Sequence, residues 1–203
     1  DEGRISMEID MVHDIQKAYR KLLTCMSEPG VIKNIDEESK KIHMDIKFFN
    51  STLVLMFMLL DSEVSFKIIS KNENEVSSIV RQLTYSKPEC IEKADFIFIL
   101  EDADIIMLKE ALACAKPGNL INPHRSATVI VETSKISNEK KFLLKGPGIK
   151  DKNYMDLQLN GVWLDSLHNK NVEFPMGIDM IFVDRYSNII CLPRTTEVTK
   201  KVD

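Results

Sequence analysis

The chain has 203 residues, 44% of them hydrophobic and 29% charged, with a formal net charge of −4 at pH 7. That length and apolar content suit one domain with a sizeable core and exclude wholesale disorder. With 27 basic against 31 acidic residues, the chain lacks the basic surplus that displaces counterions from a nucleic acid, and 7 glycines are too few to favour a glycine-rich nucleotide cradle.

The N-terminal residues 1–12 are expected to be a flexible leader, with Met7 as the native start. From Asp14 to Met26 the apolar residues Ile15, Ala18, Tyr19, Leu22, Leu23 and Met26 recur at steps of three and four, which predicts an amphipathic helix stopped by Pro29-Gly30. Val31–Ile35 and Ile42–Ile46 alternate apolar with polar, as half-buried strands do. Asn50 offers an N-cap to Leu53–Leu60, a run apolar on all sides and so a buried helix. Val64–Ile69 reads as a strand and Glu73–Leu83 as a helix. Asp95–Leu100 is apolar on both faces, the pattern of a central strand covered on each side. A helix follows with Asp102 as cap, Asp104 in its first turn, Lys116 in its last and Pro117-Gly118 as its stop. Thr128–Val131 and Phe142–Leu144 predict a hairpin around the polar stretch Glu132–Lys141, taken as a surface loop. Val162–His168 predicts a short helix, and Ile178–Val183 with Ile189–Leu192 a final hairpin. No repeat or low-complexity tract intervenes. A mixed sheet covered by helices, in one α/β domain over residues 1–203, follows.

Cys25, Cys90, Cys114 and Cys191 are too far apart in sequence for a CxxC or Cys/His cluster, so no metal or iron–sulfur cofactor is expected and four free thiols are. The longest membrane candidate, Leu53–Leu60, falls well short of the roughly 20 residues a spanning helix requires. A cytoplasmic location is the expectation. No GxSxG occurs, and His13, His43, His124 and His168 lack a nucleophile or metal partner at a useful spacing, so no catalytic residue is assigned. Gly146-Pro147-Gly148 is not followed by the GK[ST] of a P-loop and reads as a tight corner. Ser27-Glu28 stands at the C-terminal end of a helix, the wrong end of the dipole for an anion. Arg194, beside Thr195 and Thr196, offers a planar fork and hydroxyls to a phosphate or carboxylate; equally, it can pair with an internal acid such as Asp179, which follows the Gly177 turn.

These same segments carry a resemblance. Residues 18–32 (AYRKLLTCMSEPGVI), the corner Leu144-Lys145-Gly146-Pro147-Gly148-Ile149, the strand Phe174–Ile181 (FPMGIDMI) and the closing Leu192-Pro193-Arg194-Thr195-Thr196 together resemble the PhnH family, the H subunit of the carbon–phosphorus lyase core complex. All four blocks occur in order. One departure is Glu197, where the family's pattern has His, and it weakens any proposal that an anionic ligand touches this position.

The resemblance implies a three-layer α/β/α sandwich similar to the main domain of pyridoxal-phosphate-dependent transferases, without the cofactor. It also implies a homodimer, partnership with the other core subunits, and a part in forming a ribose 1-alkylphosphonate 5-triphosphate from a nucleoside triphosphate and an alkylphosphonate. Ser27, Glu28, Gly177, Asp179, Arg194, Thr195 and Thr196 are the binding or interface candidates. The competing reading is a stand-alone enzyme that grips a phosphorylated ligand, a phosphonate or nucleotide, through Arg194-Thr195-Thr196. For a dimer contact, Leu53–Leu60 and the Trp163 helix are the apolar candidates.

Overall fold

A computed structural model describes residues 6–159 and 162–201. Strands β4 (Ser65–Ile69), β5 (Lys87–Pro88), β6 (Phe96–Ile99), β7 (Thr128–Thr133) and β10 (Asp179–Asp184) run parallel in one sheet. Strand β11 (Asn188–Leu192) and the short β2 (Lys33–Asn34) extend it antiparallel, giving the seven-stranded order β2-β11-β10-β7-β6-β4-β5. A second, antiparallel sheet has the order β12-β8-β9, from β12 (Glu197–Lys200), β8 (Ile136–Lys145) and β9 (Asn153–Leu157). The pair β1 (Ser6–Met7) and β3 (Ile42–His43) stands apart.

Each interior strand sends alternate side chains to two separate cores. Phe66, Ile68, Phe98, Ile130 and Ile181 face helices α1 (His13–Ser27), α3 (Asn50–Leu59) and α4 (Glu73–Thr84). Ile97, Ile99, Val129, Val131, Met180 and Phe182 face α5 (Ile105–Cys114), α6 (Val162–Lys170) and the second sheet. There Trp163 lies edge-on between Phe142 and Phe182, with ring centroids 5.3 Å apart in both pairs. The single turn α2 (Asp36–Ser39) is fastened to α1 by Lys21–Glu38 at 2.8 Å.

Several expectations are corrected. Thr128–Val131 and Phe142–Leu144 do not form a hairpin: β7 lies between β6 and β10, and β8 belongs to the other sheet. The reason is visible in burial, since Val129, Ile130 and Val131 are covered on both faces, as only an interior strand can be. Nor is 132–141 a surface loop. Glu132 and Thr133 are buried at the end of β7, and from Ile136 onward the chain is strand, its first amide held by Asp184 Oδ2 at 2.9 Å.

Asn50 is the first residue of α3 and does not cap it; its side-chain Nδ2 donates to the Ile42 carbonyl at 2.9 Å. Asp104, and not Asp102, caps α5, accepting from the Met107 amide at 2.9 Å. Lys116 lies beyond that helix and pairs with Asp95 at 2.6 Å. Within 1–12, Asp10 accepts from the amides of Val12 and His13 at the start of α1. Leu53–Met56 and Trp163 are fully enclosed within the chain and serve its core, while Phe57–Leu59 are half-buried.

Candidate functional site

The four sequence blocks meet in two neighbouring clusters, and close backbone approach explains their glycines. Ser27 ends α1 with its hydroxyl donating to the Thr24 carbonyl at 3.1 Å, while Glu28 is exposed and its amide closes the same turn at 2.9 Å. A methyl group added at Gly148 would stand 2.0 Å from the Ser27 carbonyl oxygen, and one at Gly146 would stand 2.7 Å from that of Thr195. Both glycines hold positive φ, +81° and +138°, so the corner admits no other residue without a shift. The GPG corner thus joins the end of α1 to the turn after β11. Thr195 is half-buried there, and Thr196 Oγ1 is buried without a hydrogen-bond partner among the described residues.

The second cluster contains Gly177, Asp179 and Arg194. Arg194 is engaged within the chain. Its backbone amide donates to Asp179 Oδ1 at 2.8 Å, its guanidinium to both oxygens of that carboxylate, to the Pro123 carbonyl at 2.8 Å and to Ser126 Oγ at 2.6 Å. Of the two roles open to this arginine in the sequence, the geometry is that of the internal pair. Gly177 packs against Asn171, whose side chain holds the amide and carbonyl of Ile178, and its own amide donates to the Pro117 carbonyl at 2.9 Å.

The sequence missed a third locality, at the C-terminal edge of the parallel strands, where α/β sheets form their crevices. Glu132 ends its buried run on β7 there. Its Oε1 accepts from the Phe49 amide at 2.8 Å and from Thr52 Oγ1 at 2.5 Å, and its Oε2 from the Glu101 amide at 2.9 Å. Burial pushes its pKa up from 4.5 to about 7, against the three hydrogen bonds, which pull it down. An open hollow of about 470 Å³ lies beside it, lined by Phe48, Phe49, Glu101, Asp102 and Arg185 among others. Asp102 Oδ2 accepts from Ser70 Oγ at 2.9 Å, while its Oδ1 is buried and unpartnered among the described residues. The clue in the sequence was position: an acid directly after Val129-Ile130-Val131, apolar on both faces, stands at the end of an interior strand.

Among the described residues no three or more His, Cys, Asp or Glu side chains gather as a metal site would need. No described helix is long and apolar enough to cross a membrane.

Fold and geometry together define an α/β domain in which the motif residues build junctions between loops. The chain belongs to the PhnH family, whose model, described as bacterial phosphonate metabolism protein, matches residues 8–199. A putative C-P lyase subunit protein, HtxG of Stutzerimonas stutzeri, is 28% identical over 189 residues, covering 92% of this chain and 86% of its own. The alpha-D-ribose 1-methylphosphonate 5-triphosphate synthase subunit PhnH of Rhizobium meliloti (strain 1021) is 23% identical over 193 residues, covering 95% of this chain and 94% of its own.

Proposed function

We propose that this chain is a non-catalytic subunit of a cytoplasmic carbon–phosphorus lyase core complex. There it is needed for making a ribose 1-alkylphosphonate 5-triphosphate from a nucleoside triphosphate and an alkylphosphonate. The observation that carries this over the stand-alone reading is the state of Arg194. A residue whose fork is already engaged by Asp179, Ser126 and Pro123 has no pair of donors left for a phosphonate. The named relatives, both subunits by their names, support the same role.

In this proposal Ser27, Glu28, Thr195 and Thr196 act by shaping the junction around the GPG corner, and Gly177, Asp179 and Arg194 by fixing the loops beside them. The fold is proposed to be related to the main domain of pyridoxal-phosphate-dependent transferases, a three-layer α/β/α sandwich. Cores on opposite faces of one sheet support this, and the β12-β8-β9 sheet is an addition to that plan. A homodimer is proposed through the outer side of α1 and the turn before it. Val12, Tyr19 and Leu23 are exposed there at 59%, 44% and 49% and fall on one face by their spacing.

Co-expression with the cognate core subunits tests the subunit role, light scattering the dimer, and calorimetric titration with an alkylphosphonate and a nucleoside triphosphate the absence of a site on the isolated chain. Stable co-purification without heat of binding is expected. A chain that ignores those subunits and turns over a phosphonate alone would refute it.

A further inference from the structure

Four of the most exposed large apolar side chains stand on two adjoining loops, 117–125 and 171–177. Ile121 is 87% exposed, Val172 and Phe174 74% each, and Leu120 70%. Side chains of this size on a soluble domain mark an interaction face when several gather on one side. The loops are not loose. Gly177 N to Pro117 O at 2.9 Å ties one to the other, Lys170 Nζ to Ala115 O at 2.8 Å ties α6 to the segment before the first, and Arg194 grips Pro123 and Ser126 from beneath. The inner sides of both loops are thus fixed by the Arg194 and Gly177 blocks, while their outer sides are apolar and open. Order held in advance lowers what association costs in entropy. Between Pro117 and Met176 the surface dips into a hollow of about 330 Å³ that also takes in Lys170, Val172 and Glu173.

Charge decides the occupant. The charged side chains of these two loops and of the hollow's lining are Arg125 and Lys170, neither ion-paired among the described residues, and the carboxylate of Glu173, with exposed His124 next to Arg125 in the chain. The rim is therefore basic on a chain whose net charge is −4. A second copy docking through a twofold axis would set this rim against itself, like charge on like. Partial burial already pulls the Lys170 pKa down, a cost that an incoming carboxylate offsets.

We propose that the paired loops 117–125 and 171–177 are the docking face for a different subunit, which presents an apolar segment flanked by carboxylates. The proposal rests on the subunit role above and adds to it where contact is made and by what chemistry.

The test uses the full chain co-expressed with its cognate core subunits. Two double variants, Ile121→Ser with Phe174→Ser and His124→Glu with Arg125→Glu, are compared with the control Tyr85→Ser, a residue 78% exposed at the end of α4. Each loop variant should lower recovery of the complex at least tenfold with its melting temperature within a degree or two of wild type, and the control should do neither. For wild type, recovery should fall as salt is raised. Full recovery with both loop variants overturns the docking face while the subunit role stands. Failure of the wild type itself to associate overturns the role and the face together. Loop variants that only turn a dimer into a monomer would make the occupant a second copy and overturn the choice of partner.

Discussion

At the scale of single residues, Arg194 shows how one side chain can look like a ligand grip in sequence and be a fastener in space. It and Asp179 are 17% and 16% exposed, so removing one partner strands the other in a poorly solvated place. Arg194→Met should cost about 3 kcal/mol, the range for breaking a buried pair. For a chain of this size that lowers Tm by roughly 10 °C. Arg194→Lys keeps the charge and loses the fork, at roughly 1–2 kcal/mol. Calorimetric melting of both variants checks the order. A Met variant that melts like wild type while the complex loses activity would show that the arginine acts on a ligand or partner.

At the scale of elements, α3 depends on a residue from another strand. The helix is apolar on all sides and has no side-chain cap of its own, and Glu132 accepts the hydrogen bonds that open its first turn. Because burial raises this carboxyl to about 7, the folded chain holds its proton more tightly than the unfolded chain does at 4.5. The stability this contributes is full below the unfolded value and is lost as pH rises through the folded one. Glu132→Gln has the same shape and does not titrate. Between pH 4.5 and 8 wild type should lose up to about 3 kcal/mol relative to that variant. Denaturant unfolding across that range measures it, and parallel curves for the two proteins would refute it.

At the scale of the whole molecule, the cysteines report on the packing. All four are free; Cys90 and Cys114 are exposed, while Cys25 and Cys191 lie buried between α1 and β11. Burial pushes the Cys191 thiol well up, which disfavours the reactive thiolate. A thiol reagent without reductant should therefore find two groups in the native protein and four in denaturant. Two in both conditions would mean that an inner disulfide had formed.

The local signals in the sequence determined a good deal. The period of three and four gave α1, the double-sided apolar run placed β6 inside a sheet, and the apolar stretches around Asp184–Asn188 closed as the β10–β11 hairpin. Each of those rests on neighbours along the chain, which a sequence displays directly. What tertiary structure alone decided lies between distant residues. Whether β7 pairs with β8 or enters a parallel sheet depends on which strands arrive beside it, and parallel pairing leaves no turn signature in the sequence. The partner of Arg194, the cap of α3 and the carbonyl that forbids a side chain at Gly148 come from 15, 80 to 83, and over 100 residues away. No period or spacing carries such a contact, because it exists only once the sheet has brought its loops together.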